Sequence, residues 1–239
     1  MFVKTEAIVL HTLKYGETRM IVELFTRHLG RIAVALTIPK TAKGKLKKQY
    51  FQPMTLLEVT ADVRQKVQLQ KLTDARLLVP YLTIPVQPEK LAIALFVAEF
   101  LYYALRSEQR DEQLYDYIAD SLQWLDTAQE GYANFHLTFL LRLSRFLGFF
   151  PNLEGRGEYF DLREGTFCET VPTHGDCLAP EEARLMRLLM RMDFPTMHLF
   201  RLSRHDRQQV MEVLMRYYKL HLPDFPEMKS LAVLHQLWT

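Results

Sequence analysis

The sequence predicts an α+β architecture, with strands in the first third of the chain and helices after it. Three observations carry this reading. Residues 1–80 fall into short β-prone runs separated by Gly16, Gly30 and a lysine-rich segment. Pro80, Pro85 and Pro88 lie within nine residues, and each disfavours helix at the residue before it. From Glu89 onward the apolar residues recur at helical spacing. We expect one domain over residues 1–80 and an α-helical domain over residues 81–239.

Phe2 to Leu13 is rich in Val, Ile and Thr and reads as a strand. Arg19 to Thr26 reads as a second, although Glu23 and Arg27 at i,i+4 would also suit a short helix. Arg31 to Ile38 alternates, with Ile32, Val34, Leu36 and Ile38 on one face. Met54 to Ala61 is a fourth strand, and Val67 to Leu72 a weaker fifth. Five short strands in this span fit a small closed barrel of the oligonucleotide/oligosaccharide-binding kind, the OB-fold. An SH3-like barrel would show the same pattern.

Pro88 suits the first turn of a helix running from Glu89 to Arg106, apolar on most faces. Asp111–Thr127 and Tyr132–Leu147 continue the helical period, and Gly148 ends the second of them. Residues 149–179 break it with Pro151, Gly155, Gly157, Gly165, Pro172 and Gly175, an irregular lobe. Helices resume at Pro180, with Glu181 and Glu182 placed to complement the helix dipole. Ser203 and Asp206 have the spacing of a capping pair. A last short helix is expected from Lys229 to Trp238.

Composition narrows the function. At 49% hydrophobic the chain can bury a sizeable core. Two cysteines provide no disulfide framework and suit a reducing compartment. The N-terminus lacks a signal-peptide pattern, and Leu91–Leu105, broken by Glu99, is too short to span a bilayer. A cytoplasmic protein with no membrane partner is expected. The net charge of +2 conceals an asymmetry: residues 1–80 hold 14 Lys+Arg against 6 Asp+Glu, and residues 81–239 hold 16 against 22. A basic first part joined to an acidic second part points the first towards a polyanion.

The lysine-rich segment, Lys40 to Lys48, holds five lysines and no acid. Five ammonium groups are too costly to bury, so it reads as an exposed loop on the barrel. Lysines there would neutralise phosphates and release counterions; the plain alternative is a solubilising patch. Arg19, Arg27, Arg31, Lys40, Lys43, Lys45, Lys47 and Lys48 form the candidate DNA-binding set, with Tyr15, Phe25, Tyr50 and Phe51 as candidate stacking rings.

No catalytic constellation stands out. Gly44-Lys45 lacks the upstream glycine of a P-loop, and no His-Glu-x-x-His or Gly-x-Ser-x-Gly is present. Cys168, His174 and Cys177 form Cys-x5-His-x2-Cys, short of the four ligands a structural zinc takes. No cofactor and no metal are expected. Arg184, Arg187 and Arg191, then Arg201, Arg204 and Arg207, read first as solvated helix faces, with a second phosphate patch or a site for an acidic peptide as the alternative. Arg142 with Arg145, beside Leu141 and Phe146, has the spacing to frame an apolar and basic pocket.

Ala7-Ile-Val-Leu10, Tyr15-Gly16-Glu17, Leu24-Phe25-Thr26-Arg27, Gly30-Arg31, the basic loop and Phe51-Gln52-Pro53 follow one another in an order and spacing that resemble the N-terminal domain of RecO. RecO is the bacterial recombination mediator of DNA repair. Leu147-Gly148-Phe149 with Pro151, and Tyr217-Tyr218-x-x-His221-Leu222 with Lys229-Ser230, are similar to its helical domain. The resemblance implies an OB-fold, a helical domain and a zinc-finger-like lobe. It implies binding of single- and double-stranded DNA, annealing of complementary strands and help in loading recombinase. The implied partners are RecR, the C-terminal tail of single-stranded DNA-binding protein and, indirectly, the RecA filament at the nucleoid. Some members carry a four-cysteine zinc site after the Gly-Phe-x-Pro segment; here Glu154 to Tyr159 contains no cysteine, and only Cys168 and Cys177 remain. The expectation is a non-enzymatic DNA-binding mediator. The other classes left open are a protein-interaction scaffold and an RNA-binding barrel protein.

Overall fold

The structure, a computed structural model, describes residues 1–16, 18–38, 46–64, 66–106 and 109–236. The chain forms two compact units: Met1–Thr127 joined by the segment from Met228, and Ala128–Glu227.

The first unit is built on a closed barrel of β1 (Phe2–Tyr15), β2 (Arg19–Thr26), β3 (Gly30–Thr37), β4 (Leu56–Asp62) and β5 (Leu69–Val79), in the order β1-β2-β3-β5-β4. This is the OB-fold. All pairings are antiparallel except β3 with β5, which are parallel over Ala33–Ala35 and Leu69–Lys71. The alternating apolar residues of the sequence fill the interior: Val9, Val22, Leu24, Val34, Leu57 and Val59 are at most 1% exposed. Gly30 turns β2 into β3 at φ 67°, and a Cβ there would lie 2.6 Å from the backbone of Gln109. A left-handed conformation and a backbone neighbour both demand glycine at that position.

Arg19–Thr26 is a strand, since Met20, Val22 and Leu24 alternate into the core. The fourth strand begins at Leu56 rather than Met54, because Met54 is in a turn at φ 65° with its N–H on Val9 O, 2.7 Å away. The fifth strand runs seven residues past the expected Leu72. Its charged residues Asp74 and Arg76 disguised it, and register shifts opposite Leu56/Leu57 and Thr60/Ala61 break the alternation.

After the proline-rich turn come α1 (Pro88–Ala104) and α2 (Glu112–Thr127). Pro88 opens α1, and Ile93, Phe96, Val97, Phe100 and Leu101 of that helix are fully buried. Asp126, at the end of α2, ties the proline-rich turn down. Its carboxylate accepts from the backbone N–H groups of Leu82, Thr83 and Ile84 at 2.9, 2.8 and 2.8 Å. The buried Lys90 ammonium donates to the Thr83 hydroxyl at 2.7 Å and to Asp126 O at 3.1 Å. The short α6 (Ser230–Gln236) packs on α1, where the Glu99 carboxylate accepts from the N–H groups of Lys229 and Ser230 at 3.0 and 2.7 Å.

In the second unit, α3 (Phe135–Phe146), α4 (Pro180–Met190) and α5 (Arg204–His221) pack together. The irregular lobe forms a small sheet of β6 (Tyr159–Asp161), β7 (Thr166–Cys168) and β8 (Cys177–Leu178), in the order β7-β6-β8. Ser203 and Asp206 cap α5 reciprocally, at 3.1 and 2.9 Å. Buried Tyr217 and Tyr218 donate their hydroxyls to Phe149 O and Leu140 O, each at 2.7 Å.

Burial favours the neutral acid at Asp126, yet the N–H groups of Leu82, Ile84 and Thr83 with the Thr83 hydroxyl outweigh it, and the carboxyl titrates below its usual range. The unfolded chain therefore takes the proton first. The stabilisation is complete above the unfolded-state pKa of about 3.9 and is lost as the pH falls through the lower folded value. Asp126→Ala is expected to cost roughly 3 kcal/mol near neutral pH, since three donors lose a charged acceptor. Urea titrations followed by circular dichroism should show the gap between wild type and variant closing as the pH drops below about 4.

Candidate nucleic-acid interface

A depression opens at the side of the barrel. It is a cleft of about 870 Å³ beside the short parallel pairing of β3 with β5. Its walls include Tyr15, Arg19, Ile21, Leu46, Leu69 and Lys71. Tyr15 pairs with Arg19 across β1 and β2, Leu13 with Ile21, and Ile21 with Ala35 across β2 and β3, so these side chains share one outward face. In OB-folds this is the surface on which oligonucleotides lie.

The eight basic candidates divide by position. Arg19 is exposed and lines the cleft. Lys47 and Lys48 are exposed beside it, next to the cleft residue Leu46, and the Lys47 ammonium sits 5.6 Å from the centre of the Tyr50 ring. Lys40, Lys43 and Lys45 lie outside the described residues. Arg27 and Arg31 are engaged by carboxylates within the first unit. Arg27 bonds Glu6 at 3.1 Å and Asp116 of α2 at 3.0 Å. Arg31 bonds Glu23 at 3.1 Å, donates to Tyr102 O of α1 at 2.6 Å and stacks 4.7 Å over the Tyr102 ring.

The aromatic candidates divide too. Tyr15 is 64% exposed in the cleft. Tyr50 is half-buried, Phe51 lies in the barrel core, and fully buried Phe25 stacks with Tyr115 of α2 at 6.5 Å. Sequence reasoning missed Lys71 and Leu69, which line the cleft from β5. Both fall within the expected fifth strand; what brings them to the cleft is its parallel pairing with β3, a long-range contact without a local signal.

In the second unit Arg142 bonds Met192 O at 3.1 and 2.6 Å, Arg187 sits 3.6 Å over the Phe167 ring, and Arg207 bonds Leu202 O at 2.7 Å. The lobe does not suit zinc. Cys168 and Cys177 are free and half-buried, while His174 is turned to Asp161 at 3.1 Å. Among the described residues no three His, Cys, Asp or Glu side chains gather to hold a metal ion.

Comparison with known proteins agrees with this architecture. Residues 1–81 match the family described as Recombination protein O N terminal, and residues 86–231 match Recombination protein O C terminal. The chain belongs to the RecO family. Proteins called DNA repair protein RecO from Phocaeicola vulgatus and Bacteroides fragilis are 44% and 46% identical to it, over the full length of both chains in each case. One of the same name from Christiangramia forsetii is 34% identical, again over the full length of both. Among the described residues, no helix of this RecO-family chain is long and apolar enough to cross a membrane.

The partnering of Arg31 has a measurable consequence. Arg31→Ala removes an ion pair, a carbonyl contact and a stacked ring at once and is expected to cost roughly 2 kcal/mol. Lys47→Ala with Lys48→Ala should leave stability within about 0.5 kcal/mol, as for exposed charges elsewhere. Thermal melts of the variants check the contrast.

Proposed function

We propose that this RecO-family chain is a non-enzymatic recombination mediator in DNA repair. It binds single- and double-stranded DNA, anneals complementary strands and helps to load recombinase. The observation that carries this reading is the basic, partly apolar cleft on the OB face, where Arg19 and Lys71 share the wall with exposed Tyr15 and the exposed Lys47 and Lys48 follow the wall residue Leu46 in the chain. The loop lysines Lys40, Lys43 and Lys45 add to this set on the strength of the sequence, with Arg27 and Arg31 as partly neutralised neighbours. Contacts of this kind hold the phosphate backbone and do not read sequence.

Annealing then follows from electrostatics. Two strands repel through their phosphates, and cations that neutralise part of that charge let them approach and pair. The barrel of residues 1–80 supplies the DNA surface, and the helical part, residues 81–239, supplies room for protein partners. Those proposed are RecR, the C-terminal tail of single-stranded DNA-binding protein and, indirectly, the RecA filament, in the cytoplasm at the nucleoid. The relatives' shared name, DNA repair protein RecO, supports this assignment.

The test is a salt titration of labelled single-stranded DNA binding, run beside a strand-annealing assay without nucleotide. Wild type is expected to bind tightly at low salt and to anneal. Replacing Lys43, Lys45, Lys47 and Lys48 by Ala should flatten the log–log salt slope by about 0.7 per lost contact. An unchanged slope would remove the loop from the interface. Absence of binding at low salt would overturn the proposal in favour of a protein scaffold.

A further inference from the structure

One face of β1 stays uncovered between two depressions of the first unit. At one end lies the cleft, with Tyr15 in its wall. At the other, a groove of about 440 Å³ between β1, α1 and α6 is lined by His11, Tyr102, Tyr103, Lys229 and Val233 among others. Beyond the register shift of β1, His11, Leu13 and Tyr15 point to the same side. All three are exposed, Leu13 by 54%. The His11 ring lies 4.7 Å from that of Tyr102, which continues the row onto α1.

We propose that this ridge carries a single nucleic-acid strand onward from the cleft to the groove, with bases against Tyr15, Leu13 and His11, whose ring Tyr102 supports from α1. The inference rests on the reading of the cleft as the DNA site. Spacing favours a nucleic acid in single-stranded form. Alternate residues of a strand stand about 6.6 Å apart, two steps of about 3.3 Å. Stacked bases of a duplex rise by only about 3.4 Å. The ridge therefore matches bases drawn apart along a stretched strand. Of the nearby carboxylates, Glu23 is paired with Arg31 at 3.1 Å, and Glu99 is turned to the backbone N–H groups of Lys229 and Ser230. Arg19 at one end and Lys229 at the other supply cations for phosphates.

The experiment compares oligothymidylates of about 5 and about 20 nucleotides, a short and a long occupant of an OB surface, on the full chain. The variants are H11A/L13S, which strips the ridge, and L13W, which adds a ring to it. Short-oligonucleotide affinity, set mainly by the cleft, should change less than long-oligonucleotide affinity in both. Long-oligonucleotide affinity should fall about tenfold in H11A/L13S and rise in L13W, in line with stacking of one base. L13W keeps the test decisive if the double variant folds poorly. A long-to-short ratio unchanged in both overturns the extended path and leaves the ridge as a protein-docking face. Failure of wild type to bind either length at low salt removes the cleft reading itself, a different result.

Discussion

In a closed five-stranded barrel every strand serves two neighbours, and β1, the longest, serves its two along different halves of its length. Phe2–Ile8 pair with β4 while Ala7–Tyr15 pair with β2. The register shift between Val9 and His11 bends the strand where it passes from one partner to the other. It also divides its outward residues. Before the shift Ile8 is fully buried; after it His11, Leu13 and Tyr15 face solvent. The same strand thus closes the barrel and presents the surface on which the functional reading rests.

The first unit is knit by carboxylates that reach far along the chain. Asp126 holds the turn at residues 82–84, and Glu99 holds the start of α6, 131 residues further on. Arg27 and Arg31 of the barrel bond Asp116 of α2 and the Tyr102 carbonyl of α1. These groups keep the helices beside the barrel with polar contacts that would be costly to leave unmade once dehydrated. The basic excess of the first eighty residues is thereby partly consumed indoors. Net charge records how many cations a segment has and is silent about how many are already partnered.

Much of the fold was legible. The period-two pattern of β3 and the helical period of α1 to α5 survive burial, because each element needs an apolar face turned inward. The capping pair Ser203 and Asp206, Pro88 at the first turn of α1 and the glycine turns at Gly16 and Gly30 act within a few residues and appear where they were expected. The second half of β5 was not legible, since Asp74 and Arg76 mimic a loop when their exposure is unknown. Of the candidate site's residues, Arg19 and Tyr15 line the cleft and Lys47 and Lys48 are exposed next to its wall residue Leu46, while Phe25 and Phe51 are core.

The sequence by itself determined the elements, the OB-like order of short strands before helices, the membership of a family and the sign of the first part's charge. These depend on local periodicity, turn chemistry and composition, which one chain carries in full. Only the tertiary structure decided which cations face solvent, which rings are core and which residues of β1 and β5 meet across the cleft. Those outcomes depend on cross-strand register and on carboxylates distant in sequence, and neither leaves a local mark.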